Sequence, residues 1–260
     1  MLLDSKTAVI YGAGGAVGSS IARAFAAEGA QVFLAGRTLA KIQAVATEIS
    51  ATGGVADAVS VDALDEQAVE DHLAGVTDRC GRIDVLFNAI GMEDVQGTPL
   101  VDLSVTDFAH PVLTATKTQF ITARAAARRM IDQGSGVIMS ITAEPTPAPD
   151  LGGFPAACAV IEALWRSFAT ELGPHGVRTI IIRSAGSPDS PAVQGVFELH
   201  TQTTGASTDS VQQQWGGSTM LGRLPLLADV SNVATLLASD RAEAMTAAIA
   251  NVTCGAFVDH

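Results

Sequence analysis

The chain has 260 residues, 48% of them apolar and 16% charged, a composition that suits one α/β domain with a substantial buried core. Its net charge of −12 and pI near 4.7 argue against nucleic acid or an anionic membrane surface as the main partner. Cys80, Cys158 and Cys254 are scattered, odd in number and without metal-ligand spacing, so the expectation is a reducing cytoplasm, no disulfide framework and no metal. Met1-Leu2-Leu3 gives way at once to Asp4-Ser5-Lys6, which is not a signal-peptide core, and no apolar run nears the roughly 18 residues that span a bilayer.

Short β-rich apolar runs alternate with segments of helical period along the chain. The first strand is predicted at 7–11 and runs into a glycine-rich turn, with a helix over 16–29. A second strand at 31–35 precedes a helix at 38–50, and a third at 55–61 precedes one at 65–79. The fourth strand, 84–88, leads to a long helix at 104–132; the fifth, 136–142, leads to one at 153–173. A sixth strand is expected at 177–183, a helix at 228–239 and a last strand at 250–257. Repeated βα units with apolar strands imply a single domain over 1–260. The expected fold is a Rossmann-like, doubly wound parallel β-sheet of about seven strands, with helices on both faces and ligands beyond the carboxyl ends of the strands. Residues 184–222 break the alternation. Rich in Ser, Thr, Gln and Gly, with isolated Phe197, Trp215 and Met220, they are expected to form a substrate lid.

The first turn reads Gly12-Ala13-Gly14-Gly15-Ala16-Val17-Gly18. Glycines there make a tight turn, let the backbone approach a pyrophosphate and leave room for the next helix, whose free N–H groups face the phosphates. The second strand ends Ala35-Gly36-Arg37-Thr38, without the carboxylate that binds ribose hydroxyls in an NAD site. Arg37 offers a fork-shaped donor for a 2′-phosphate, with Lys41 as a weaker assistant, so NADP(H) is expected over NAD(H).

On these residues the chain resembles the short-chain dehydrogenase/reductase family. The family's glycine spacing is kept except that Ala16 replaces the middle glycine. Val61-Asp62-Ala63 looks like its adenine-contacting segment, and Asn88-Ala89-Ile90-Gly91 like the segment that closes its fourth strand against the cofactor. The run Leu221-Gly-Arg-Leu-Pro225 also fits. The resemblance implies a catalytic Asn-Ser-Tyr-Lys tetrad, and here the sequence departs. The corresponding positions hold Ala115, Ala143, Phe154 and Cys158, with Thr142 as the one plausible stand-in for the serine.

No shift of alignment restores the tetrad. Tyr11 is the single tyrosine and belongs to the glycine turn, while the lysines are Lys6, Lys41 and Lys117. Lys117 should point about 200° around the helix from Ala115. Pro111 interrupts the same helix and is expected to bend it. Glu93, Asp94, Glu144 and Asp150 are candidate substitute acids, Cys158 a thiol or simply a small buried residue, and His200 the histidine best placed in the lid. An apolar cavity lined by Phe154, Ala143, Ala115, Phe197, Trp215 and Met220 would suit a small hydrophobic substrate.

Three functions remain open on the sequence. One is an NADP(H)-dependent reductase of an activated C=C or C=O bond without a tyrosine acid. A second is a non-redox enzyme (isomerase, dehydratase or cyclase), and a third is a non-catalytic NADP-binding subunit. The family resemblance further implies a homo-oligomer, dimer or tetramer, built on the helices at 104–132 and 153–173, or a hetero-oligomer with an active relative.

Overall fold

A computed structural model describes residues 1–143 and 149–258 of the chain. Seven parallel strands form one sheet in the order β3-β2-β1-β4-β5-β6-β7. They are β1 (Thr7–Tyr11), β2 (Gln31–Gly36), β3 (Val55–Ser60), β4 (Val85–Asn88), β5 (Gly136–Thr142), β6 (Val177–Ser184) and β7 (Ala248–Val252). The order reverses between β1 and β4, so chain connections leave in opposite directions above their carboxyl ends. That divergence opens the crevice in which such sheets bind ligands.

The helices are α1 (Ala16–Ala27), α2 (Leu39–Ala51), α3 (Glu66–Cys80), α4 (Val105–Gln133), α5 (Phe154–Leu172), α6 (Pro191–Thr204), α7 (Thr208–Gly217) and α8 (Leu227–Ala238). Strand periodicity assigns them to two layers. Ala8, Ile10, Val32 and Leu34 face α1, α2 and α8, whereas Val9, Tyr11, Phe33 and Ala35 face the layer of α3, α4 and α5. Both faces of the central strands are therefore covered, which explains why β1 and β4 read as unbroken apolar runs. No helix among the described residues is long and apolar enough to cross a membrane.

Two expectations need correction. The segment 184–222 is not an irregular excursion but carries α6 and α7. Their signals are local: Pro191 in the first turn of α6, Gly205 closing it in the left-handed region at φ 73°, and Ser207 accepting from the Ser210 N–H at 3.2 Å. The last strand ends at Val252, not 257, because Cys254 and Gly255 adopt φ of 56° and 78° and turn the chain out of the sheet. Their carbonyls accept from the Leu221 and Met220 N–H groups instead. Pro111 lies buried inside α4, which runs through it from Val105 to Gln133. A Cβ on Gly153 would come within 2.1 Å of the Phe108 carbonyl oxygen and 2.8 Å of Pro111 Cγ. Glycine therefore lets the start of α5 lie directly against α4.

Beneath α3, Tyr11 Oη and His72 Nδ1 lie 2.9 Å apart in a buried, edge-on pair. Burial depresses the His72 pKa from 6.5 to about 4, with Asp57 opposing weakly, so the folded protein holds the ring neutral. Below pH 6.5 the unfolded chain takes up a proton that the folded chain refuses. Stability should therefore fall as pH drops from 6.5 to about 4, by up to about 3 kcal/mol from this group. Denaturant melts across that window should show the slope, and His72→Leu should flatten it whatever its effect at neutral pH.

Candidate active site

The glycine turn lies at the reversal of strand order. Gly12 and Ala13 both donate to the Ala35 carbonyl, at 2.9 and 3.2 Å, which ties the turn to β2. Gly12 has φ 77°, and a Cβ there would sit 2.4 Å from the Ala89 carbonyl oxygen at the end of β4. A Cβ on Gly18 would meet the Gly12 carbonyl oxygen at 2.4 Å. Both positions admit glycine alone. Gly14 is close to Lys41 Cβ, and Gly15 is the helix N-cap. Ala16 opens α1 as its first helical residue, where alanine is favoured and a third glycine is not needed.

The amino end of α1 has no side-chain cap and no acid in its first turn, whereas α3, α4 and α7 are capped by Asp65, Ser104 and Ser207. Ala16, Val17 and Gly18 consequently present N–H groups that no residue of the helix accepts. With the positive end of the helix behind them, these groups fit an anionic, phosphate-bearing ligand.

On the β2 side, Arg37 is exposed and its Nη2 donates to Glu93 Oε1 at 2.8 Å. Each partner stabilises the other's charged form, so Glu93 is held below the usual carboxylate range. Asp62 is exposed at the mouth, accepts from the Leu64 N–H at 3.0 Å and adds to the negative field on Arg37; Ala63 beside it is buried.

Asn88 is fully buried and has no donor or acceptor to spare. Its Nδ2 donates to Thr122 Oγ1 (2.9 Å) and the Thr118 carbonyl (3.4 Å), while Oδ1 accepts from Ile90 N–H and Gln119 Nε2, each at 3.1 Å. Its side chain is thus a strut between β4 and α4, not a ligand contact. What it presents to the crevice is the backbone of Ala89, Ile90 and Gly91.

At the other end, the positions expected to match the tetrad lie on α4 (Ala115), just after β5 (Ala143) and on α5 (Phe154 and Cys158). Ala115 is buried against the α5 layer, Phe154 opens α5, and Cys158 is buried one turn further along it. Burial pushes the Cys158 thiol up to about 11, so it packs as a neutral small residue. Thr142, the expected stand-in for the serine, is buried and donates to Glu162 Oε1 at 3.4 Å. Glu162 is also paired with Arg183 Nη2 at 2.9 Å and Arg166 Nη2 at 3.4 Å. Thr142 is thus tied to this cluster.

The Thr142–Glu162–Arg183 cluster escaped the sequence reading. Its signal was a charged residue ending the apolar run Ile180-Ile-Ile-Arg183, level with Thr142 in the sheet.

Other candidate proton donors are placed as follows. Burial holds the Tyr11 phenol far above its ordinary range, and Lys117 is exposed on α4. Asp94 accepts from Gln96 Nε2 at 2.6 Å, and the Asp150 carbonyl accepts from the Gly97 N–H at 2.8 Å. Glu144 lies outside the described residues. Among the described residues no cluster of His, Cys, Asp and Glu could hold a metal.

The expected cavity lining is also corrected. Phe197 is fully buried in a core of its own with Val211 and Leu224, its ring 5.3 Å from that of Trp215, and His200 stacks edge-on against the same indole at 5.9 Å. Met220 is 72% exposed. The segment 184–222 uses Phe197 and Trp215 to hold α6 and α7 together.

Known proteins share this arrangement. A family model described as enoyl-(acyl carrier protein) reductase matches residues 12–256. L-rhamnose 1-dehydrogenase (NAD(P)(+)) of Azotobacter vinelandii is 30% identical over 269 residues, spanning 100% of this chain and 99% of the relative. Sorbitol dehydrogenase of Cereibacter sphaeroides is 28% identical over 258 residues, covering 98% of each. A solved structure of NAD+-bound xylitol dehydrogenase superposes with a TM-score of 0.90 over 98% of this chain and 100% of its own, at 23% identity, a likeness of fold. The chain belongs to the short-chain dehydrogenase/reductase family of oxidoreductases.

Proposed function

We propose that the protein is an NADP(H)-dependent oxidoreductase that reduces an activated C=C or C=O bond of a hydrophobic substrate without a tyrosine acid. The observation that carries the cofactor assignment is the bare amino end of α1 behind Gly12, flanked by Arg37 on the neighbouring strand. Ala16, Val17 and Gly18 would hold the pyrophosphate through their N–H groups, Arg37 the 2′-phosphate, and Asp62 and Ala63 the adenine edge. When bound, the dinucleotide supplies a hydride at its nicotinamide C4.

The chain's own contribution is orientation of the reactants. Phe154, Ala143 and Ala115 place carbon where the family has proton-handling groups, which favours a ligand less polar than the sugars and polyols for which the relatives are named. A positioned general acid contributes about 10²–10⁴-fold, or about 3–5 kcal/mol, whereas orientation of the reactants contributes about 7–11 kcal/mol. Losing the acid and keeping the orientation restricts the reaction to acceptors activated enough to take their proton from water. Residues 184–222, carrying α6 and α7, would act as the substrate lid.

A second reading, an NADP-binding subunit without turnover, draws on the side chains Val105, Leu113 and Phe120, exposed at 84%, 55% and 40% along α4. Such a row suits contact with a second copy in a homo-oligomer or with an active relative. The free cysteines fit a reducing cytoplasm.

Two experiments test the proposal. Arg37→Ala should weaken NADPH binding by about tenfold, since a charge-assisted contact is lost, and leave NADH binding nearly unchanged. Equal losses for the two would refute the 2′-phosphate assignment. Incubation with C4-deuterated NADPH and activated enones should deliver deuterium to a product carbon. Saturable NADPH binding with the label retained throughout would favour the subunit reading instead.

A further inference from the structure

The Arg37–Glu93 pair joins two segments that are 56 residues apart in the chain. Arg37 follows β2 and Glu93 follows β4, and β1 lies between those strands. The ion pair therefore spans the carboxyl end of β1, over the mouth of the glycine turn. The two ends differ in how firmly they are held. The Arg37 carbonyl accepts from Ser60 Oγ at 3.2 Å, and the adjacent Gly36 carbonyl accepts from the Val61 N–H at 3.2 Å. Glu93 lies in a stretch without helix or strand, two residues after Gly91, around which a Cβ would meet nothing within 4 Å. Its carboxylate is 71% exposed.

We infer that Glu93 is an internal competitor for the 2′-phosphate: its carboxylate occupies the Arg37 guanidinium until NADPH displaces it, and so sets the preference between NADPH and NADH. The inference rests on the proposal that Arg37 reads that phosphate. A phosphate oxygen and a carboxylate oxygen ask for the same donors, so both cannot use the Arg37 fork fully. Asp62 is close enough to reinforce the negative field, but among the described residues it is Glu93 that makes the direct contact. An exposed pair of this kind is a weak closure, so the closed form reduces apparent NADPH affinity only by about two- to fivefold. NADH, with no phosphate at that position, leaves the pair in place.

Coenzyme titrations by fluorescence on wild type, Glu93→Gln, Arg37→Ala and the double variant test this without reference to turnover. Glu93→Gln should tighten NADPH by about two- to fivefold and leave NADH unchanged. Once Arg37 is absent, Glu93→Gln should give no gain, so the double variant should match Arg37→Ala. An unchanged or weakened NADPH affinity in Glu93→Gln would overturn the inference. So would an equal gain on the Arg37→Ala background, which would mark Glu93 as a general repulsive charge. If Arg37→Ala itself leaves NADPH affinity intact, the phosphate assignment falls first and the competition falls with it.

Discussion

The site depends on how closely the first turn approaches the end of β4. With 2.4 Å between a hypothetical Gly12 Cβ and the Ala89 carbonyl oxygen, and the same distance from Gly18 to the Gly12 carbonyl, no larger residue fits either position. That contact seats α1 against β1 and aims its uncapped amino end into the crevice where the strand order reverses. It also fixes Ala89–Gly91, because Asn88 anchors the same stretch from below through Thr118, Gln119 and Thr122. The loop bearing Glu93 begins directly beyond.

At the opposite end of the crevice, polar groups are turned inward and matched with one another. Thr142 donates to Glu162, which is paired with Arg183, and the Cys158 thiol is buried; beside the glycine turn, at the end of β1, the Tyr11 phenol is likewise held by His72. Each arrangement satisfies a buried polar group, as a folded interior demands. Each also withdraws a group that could have moved a proton. On the proposed function, cofactor binding rests on backbone around β1, while proton handling would fall to side chains on α4, β5 and α5, so the two would be separable.

Much of this was legible beforehand, and for physical reasons. Strands covered on both faces leave unbroken apolar runs, and the glycine turn has few substitutes, so the parallel sheet and its crevice follow from local pattern. The helices α6 and α7 were missed because their composition is polar and their apolar residues few. Ser190-Pro191, Gly205 and Ser207 marked their ends nonetheless. Phe197 and Trp215 were misassigned to the cavity because spacing within a segment does not reveal which neighbour receives a side chain. The absence of an acid at 35–38 was visible, whereas the carboxylate that actually meets Arg37 arrives from beyond another strand. Only the strand order brings Glu93 there.

The separation of binding from proton handling is tested most directly by restoring the missing groups. Ala115→Asn, Ala143→Ser, Phe154→Tyr and Cys158→Lys, introduced together, should raise the rate of reduction of a simple ketone by NADPH by about 10²–10⁴-fold, with little change in NADPH affinity. A restored protein that binds NADPH as before yet reduces the ketone no faster would contradict the account, since the four positions would then not converge on a reacting centre.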